Sequence, residues 1–409
     1  MTGSNLTILG SGFASFSLLK RIDTGLYDVV LISPRNHFLF TPLLPSTTVG
    51  TIEFRSIIEP IRSSGKEIRF YQAACEAIDP THRTLQCRGS IDGSTFTLKF
   101  DTLVIGVGAT VNTYRVPGVE EYAHFLKELS DARFIRQKII DCLEQASMPE
   151  VSEEEKRRLL HFIVVGGGPT GVEFAAEMHD FVVEDLKNAF HQLVGDVRIT
   201  LLEAADQILN TFDAALSAYT LNHFRRQRIE VKTGSAVVKV ERDRVHLKDG
   251  EVLTYGLLVW STGNGTAPLV RSAPFRKDQN GRIIIDRFLA VEGQTGIYAA
   301  GDCATFEEKN IPATAQMAQQ EGRYLAVSLN KRARGKAVRP FREREFGMLA
   351  YIGSNRALAD LPSVRAHGYA TWVFWRSVYL TKLVSVKNKI LVVFDWLKTR
   401  VFGRDISRF

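Results

Sequence analysis

Phe162-Ile163-Val164-Val165-Gly166-Gly167-Gly168-Pro169-Thr170-Gly171 is a short apolar run that breaks into four glycines within six positions. The residues after it return to a helical pattern. A strand that stops at such a turn and opens into a helix is the phosphate-binding turn of a doubly wound α/β domain. Glycines let the chain turn tightly and let backbone N–H groups approach a pyrophosphate at the positive end of a helix. The same reading applies near the start of the chain, where Leu6-Thr7-Ile8-Leu9 leads into Gly10-Ser11-Gly12-Phe13-Ala14-Ser15. One such turn is weak evidence. Two, each in a strand–turn–helix context, predict two dinucleotides on one polypeptide, with electrons passing between them.

Strand and helix patterns alternate around both turns, which predicts parallel sheets covered by helices on both faces. Asp28 to Ile32 reads as the second strand of the first domain. Ser33 to Pro45, rich in proline and aromatics, reads as a structured loop. Thr102 to Ala109 is a buried strand that ends in glycines, Gly108 among them. Residues 120–160 read as helical, and a long helix is expected from about Val172 to Leu193. A strand then ends at Glu203, a hairpin-like meander covers 229–260, and an apolar strand ends on Gly301-Asp302.

An acid at the end of the second strand of such a domain binds a ribose hydroxyl pair and repels a 2′-phosphate. Glu203 holds that position after the second turn, which predicts NADH over NADPH. The first turn departs twice: Ser15 stands where Gly or Ala is usual, and Ser33 stands where an acid is usual. Ser15 is small enough to keep helix and strand close, and Ser33 offers a ribose an uncharged hydrogen bond. Asp302 suits a carboxylate that accepts hydrogen bonds from a flavin ribityl chain. Taken alone, it reads equally well as a helix N-cap.

The chain has 409 residues, 45% of them hydrophobic and 24% charged, enough for two or three cores. No signal or transit pattern precedes the first strand. Cys75, Cys87, Cys142 and Cys303 lack CxxC, Cys-x4-Cys or metal-ligand spacing, which argues against thiol relay chemistry, a disulfide framework or a metal site. The formal net charge of +7 is concentrated: Arg365 to Phe409 carries nine Lys/Arg against two acids, so the remainder is neutral overall. A basic tail on a neutral body predicts a localised anionic partner and no nucleic acid.

Three of the four tryptophans lie in that tail. Its longest uncharged run, Ala366 to Trp375, is ten residues, against the roughly 20 needed to span a bilayer. Trp372, Trp375, Tyr379, Leu383 and Val386 follow helical spacing. The tail is therefore expected to lie in the lipid interface, with its tryptophans, Trp396 included, among anionic headgroups. A packing or dimer helix is the other reading, and a homodimer through the same tail is compatible with both.

Ser33 to Gly50 (SPRNHFLFTPLLPSTTVG), Gly166 to Glu177 (GGGPTGVEFAAE), Tyr298 to Ala304 (YAAGDCA), Ala315 to Gly322 (AQMAQQEG) and Leu349 to Asp360 (LAYIGSNRALAD) together resemble the type II NADH dehydrogenases. These are single-subunit, non-pumping NADH:quinone oxidoreductases, and the resemblance is closest to mitochondrial-type members. It implies non-covalent FAD contacted by Gly10, Gly12, Pro34, Arg35, Asn36, Gly108 and Asp302. It implies NADH contacted by Gly166, Gly168, Gly171, Glu203, Gly263 and Asn264. Glu173 is then expected near the nicotinamide, although it reads equally as a first-turn acid facing the helix dipole. Gln316 and Gln320 are expected at the quinone end of the flavin, although they also read as a polar helix start.

The fold expectation is α/β: two doubly wound Rossmann-like domains plus an amphipathic C-terminal membrane-anchoring segment. FAD is assigned to 1–115 and 270–345, NADH to 116–269, and membrane association with quinone access to 346–409. The implied activity is two-electron transfer from NADH through FAD to a membrane quinone. The setting is peripheral, on the NADH-facing side of a bacterial cytoplasmic or mitochondrial inner membrane. A soluble-acceptor NAD(P)H reductase and a flavoprotein that mainly binds partners are the alternatives.

Overall fold

In the computed structural model, which describes residues 4–308 and 310–408, the first strand Ser4–Leu9 is an interior strand of a seven-stranded sheet. The order is Ile297–Ala299, Thr102–Ile105, Ser4–Leu9, Tyr27–Ser33, Arg69–Asp79, Thr84–Gly89 and Thr95–Lys99. The first five strands run parallel and the last two continue antiparallel. Leu6, Ile8, Leu9, Leu31 and Ile32 are at most 1% exposed. These strands are covered on both faces, which is why they read as unbroken apolar runs without alternation. Each fully buried aliphatic side chain contributes about 1.5–3 kcal/mol.

The chain divides into two compact units. The first is Met1–Leu39, Ile58–Thr110 and Asn264–Arg344, and it holds the sheet just described. The second is Phe40–Ile57, Val111–Gly263 and Glu345–Phe409. Its five-stranded sheet is parallel throughout, in the order His124–Phe125, Leu257–Trp260, His161–Val165, Arg198–Leu202 and Ile229–Lys232. Both glycine turns thus follow interior strands whose two neighbours run parallel to them.

Several local expectations are corrected. The helix after the second turn is regular only over Pro169–Phe181, widens to a π-turn at Val182–Leu186 and stops at Ala189. The widened turn presents Asp185 to the backbone N–H of Arg404 at 2.8 Å. Residues 120–160 hold two main helices, Leu129–Ala146 and Glu153–Leu159. The antiparallel meander covers only Val237–Val240, Arg244–Leu247 and Val252–Thr254. The flanking strands of that stretch pair in the parallel sheet instead.

Residues 348–368 form a three-stranded antiparallel sheet, followed by the helices Tyr369–Lys382 and Val386–Phe402. Ser385 caps the second helix through the N–H of Asn388, at 3.2 Å, so the expected aromatic stripe is split between two helices. Trp372 and Trp375 are buried, at 9% and 3% exposure, and do not face outward as expected. Trp375 stacks on Tyr351 and packs at a tilt against Tyr379, with centroids 5.5 and 4.7 Å away. The helix Val386–Phe402 turns its polar residues inward. Asp395 accepts from Ser56 Oγ (2.6 Å) and the Glu53 N–H (3.0 Å), and Asn388 Nδ2 donates to the Ser56 carbonyl (2.8 Å). Its outer face is apolar: Val386, Ile390, Val393, Phe394, Leu397 and Val401 are exposed. Among the described residues, no helix is long and apolar enough to cross a membrane.

Candidate functional site

The first unit builds its turn around Gly10, whose φ is +91°. A Cβ there would lie 2.4 Å from the Gly106 carbonyl oxygen, so no other residue fits without backbone movement. A Cβ on Gly12, at the start of helix Phe13–Leu19, would meet nothing within 4 Å, which leaves the approach to the helix end open. Ser15 holds the third fingerprint position by donating to the Leu9 carbonyl at 3.2 Å. Ser33 is buried and donates to Ser11 Oγ at 2.9 Å, so it is turned into the loop instead of toward a ribose. Arg35 Nε donates to the same oxygen at 3.1 Å and brings a cation beside the glycine turn. Pro34 and Asn36 lie in the same loop: the Pro34 carbonyl accepts from Gln72 Nε2 at 3.3 Å, and the Asn36 carbonyl from the Ile61 N–H at 2.9 Å. The neighbouring strand stops at Ile105, short of the expected Ala109, and Gly108, with φ +70°, lies in the turn that follows it.

Asp302 lies inside the 3-10 turn Gly301–Cys303 and caps no helix. The helix Ala315–Ala333 is capped by Thr314 instead. The turn is held from behind by Glu321, a residue the sequence reading passed over. Its carboxylate accepts from the Gly301 N–H at 2.5 Å, and burial pushes its pKa up to about 8. Gln316 and Gln320 both sit on Ala315–Ala333. The Gln320 amide closes on the Arg344 backbone, accepting from its N–H and donating to its carbonyl, each at 3.0 Å. Gln316 is half-buried one turn earlier.

The second unit repeats the turn. Gly166 has φ +111°, and a Cβ there would lie 2.4 Å from the Ser261 carbonyl. Gly171 packs its helix onto the strand, and Gly168 faces open space. Glu203 reaches the loop: Oε2 accepts from the Gly167 N–H at 2.6 Å and Oε1 from the Ala205 N–H at 2.8 Å. Both oxygens act as acceptors here and keep lone pairs for hydroxyl donors. The Gly263 carbonyl accepts from the Asn112 N–H at 2.9 Å, and Asn264 begins the last segment of the first unit.

Glu173 belongs to the second turn of Pro169–Phe181, which has no acid in its first turn, so it does not serve the helix dipole there. It is 6% exposed, and Oε1 accepts from the Tyr351 N–H at 3.0 Å. Burial, reinforced by nearby Glu177, pushes its pKa up to about 8, against the lowering effect of the Tyr351 N–H. Burial and Glu173 together hold the Tyr379 phenol well above its ordinary value. Glu177 and Asp180 continue the same helix face. Glu177 accepts from Ser46 (2.7 Å) and Thr51 (2.6 Å), and Asp180 from the Tyr351 hydroxyl. The sequence signal for this network was acids at i, i+4 and i+7 on an otherwise apolar helix, a spacing that places all three on one face.

A profile of the pyridine nucleotide-disulphide oxidoreductase family matches residues 4–322, and one of the NDH2 C-terminal domain matches 346–405. The chain is 47% identical to a probable NADH dehydrogenase of Dictyostelium discoideum, over 99% of this chain and 91% of that one. It is 42% identical to internal alternative NAD(P)H-ubiquinone oxidoreductase A1, mitochondrial, of Solanum tuberosum, over 98% of this chain and 88% of that one. The solved structure of NDH2 from Plasmodium falciparum in complex with NADH superposes with a TM-score of 0.94 at 30% identity and covers 99% of each chain.

Proposed function

This chain belongs to the type II NADH dehydrogenases, and from that premise we propose a role for each part of its two nucleotide sites and its tail. The activity is FAD-dependent NADH:quinone oxidoreduction. The observation that carries it is the pair of glycine turns, each at an interior parallel strand and each with a glycine that no Cβ could replace. The Solanum relative is named for ubiquinone, and ubiquinone is the acceptor proposed here. NADH oxidation that depends on an added ubiquinone analogue tests the reading.

The residues fit the two cofactors. Gly10 makes the tight turn of the FAD site, Gly12 and Gly108 leave room for a pyrophosphate and ring, and Arg35 supplies a positive charge at the turn. Pro34, Asn36 and Asp302 complete the FAD contacts, with Asp302 free of any capping duty and held in place by Glu321. Gly166, Gly168, Gly171, Gly263 and Asn264 hold NADH, and Glu203 takes its ribose. When bound, the flavin supplies the step between a hydride donor and a two-electron acceptor. The protein orients the rings, excludes water and manages protons. Gln316 offers an amide to a quinone carbonyl. Glu173 holds a proton on the carboxyl oxygen that Tyr351 does not bind, and Gln320 fixes the backbone beside its helix.

Glu203→Ala should raise KM for NADH and narrow the preference for NADH over NADPH, leaving the quinone KM unchanged. Steady-state kinetics with both nucleotides check this. An unaltered preference would remove Glu203 from the ribose site.

We also propose that the outer face of Val386–Phe402 rests on a lipid surface. A helix of a soluble protein buries its apolar stripe and shows its polar one. This helix does the reverse, with Asp395 buried and Ile390, Phe394 and Leu397 exposed. The surplus of basic residues in the same tail favours an anionic leaflet. Phe394→Asp/Leu397→Asp should release the FAD-loaded protein from vesicles containing phosphatidylglycerol. Flavin reduction by NADH should stay intact, since both glycine turns lie elsewhere. Undiminished sedimentation with the vesicles would show that this face is not the contact.

A further inference from the structure

Within the second unit, the two tail helices help to line a cavity whose walls include Trp372, Trp396, Arg376, Arg400, Arg404 and Glu177. The three arginines differ in their partners. Arg404 is matched: its guanidinium pairs with Asp185 at 2.6 Å and Glu184 at 2.8 Å, and lies 3.9 Å from Glu177. Arg376 is sandwiched between indole rings, 4.0 Å from the Trp372 centroid and 4.5 Å from that of Trp396. Its Nε is buried without a hydrogen-bond partner. Among the described residues no acid forms an ion pair with Arg376 or Arg400, and the two cations repel each other. Burial and that repulsion, only partly offset by Tyr351 and Glu177, push the Arg376 pKa down to about 10. A desolvated guanidinium facing a second cation across a cavity is costly unless an anion joins them.

We propose that this cavity binds a phosphate group through Arg376 and Arg400, and that its occupant is the headgroup of an anionic phospholipid. Guanidinium is the side chain whose planar fork matches phosphate oxygens, and stacking on two indoles fixes that fork in advance. Both arginines belong to the helices that carry the exposed apolar face, so a phosphate seated here has somewhere to place its acyl chains. A free phosphate satisfies the cations but not the apolar surface. The inference rests on the lipid-surface reading above and adds a defined headgroup site to it.

The test uses the full-length, FAD-loaded protein. Arg376→Gln/Arg400→Gln is compared with the charge-matched pair Lys387→Gln/Lys389→Gln by sedimentation with phosphatidylcholine vesicles, with and without phosphatidylglycerol. The arginine pair is expected to lose at least about tenfold more affinity for the anionic vesicles than the lysine pair, since it removes directed charge-assisted bonds as well as charge. Equal losses would overturn the site while leaving the surface reading intact. Failure of the unmodified protein to bind any vesicle would defeat the surface reading itself. If the arginine pair loses FAD, Arg400→Gln alone, at an exposed position, takes its place under the same criteria. Tryptophan fluorescence separates the sources of phosphate. Short-chain phosphatidylglycerol below its micellar concentration should give a saturable change at lower concentration than inorganic phosphate. Saturation by inorganic phosphate alone would identify a free-anion site and overturn the lipid assignment.

Discussion

Gly10→Ala is expected to yield protein without bound FAD. At φ +91° an L side chain is strained, and the added methyl would lie 2.4 Å from the Gly106 carbonyl oxygen. The left-handed conformation alone costs about 1–2 kcal/mol. The collision is with backbone, so relief requires the strands Ser4–Leu9 and Thr102–Ile105 to part at their ends. Those strands are hydrogen-bonded neighbours in the sheet core. Gly12→Ala provides the contrast, because its Cβ meets no atom within 4 Å. That variant should fold normally and bind FAD more weakly, since the methyl intrudes only on the space a ligand would fill. Flavin absorbance after gel filtration, with a thermal melt of each apoprotein, separates the two. Stoichiometric FAD in Gly10→Ala would contradict the role given to this turn.

Glu173→Gln is expected to lower quinone-dependent turnover about 100-fold or more, the scale of a lost general acid. It should also remove the alkaline limb of the pH profile. The carboxyl titrates at about 8 because burial disfavours its charge, so it holds its proton below that pH and loses it above. Turnover of the unmodified protein should therefore fall as pH rises through about 8, and that fall should be missing in the variant. Gln keeps an oxygen for the Tyr351 N–H, so the packing of Pro169–Phe181 against Met348–Gly353 should survive. The linkage to stability has a definite sign. A folded pKa raised above the ordinary value of 4.5 favours the fold fully at pH below 4.5, and that advantage is lost as pH climbs to about 8. The variant should thus gain in melting temperature relative to the parent at alkaline pH. Identical pH profiles for the two proteins would remove Glu173 from proton handling.

The sequence exposed what is local. Both glycine turns, the acid at Glu203 and the Gly301-Asp302 turn are set by neighbours within a few residues, where strand, turn and helix patterns meet. What it hid depends on distant partners. Glu173 and Tyr351 meet across 178 positions, and Asp395 reaches Ser56 across 339. No spacing rule connects such pairs. The tail illustrates a different limit. Helical periodicity marks a stripe of one polarity but does not say which stripe faces the protein. Its two helices carry two apolar stripes, and only packing decided that the tryptophans go inward while Ile390, Phe394 and Leu397 stay out. Ser33 shows a third limit. Its hydroxyl could have faced a ligand or the loop, and Ser11 and Arg35 settled the matter.

The central claim is that electrons from NADH reach a quinone through the flavin of this chain. Anaerobic stopped-flow spectroscopy of the FAD-loaded protein tests it most directly, because the two half-reactions are watched separately. The account predicts that NADH bleaches the flavin and that a ubiquinone analogue restores its colour at a rate no slower than steady-state turnover. Flavin that NADH reduces, and that a soluble acceptor reoxidises while the quinone analogue does not, would contradict it.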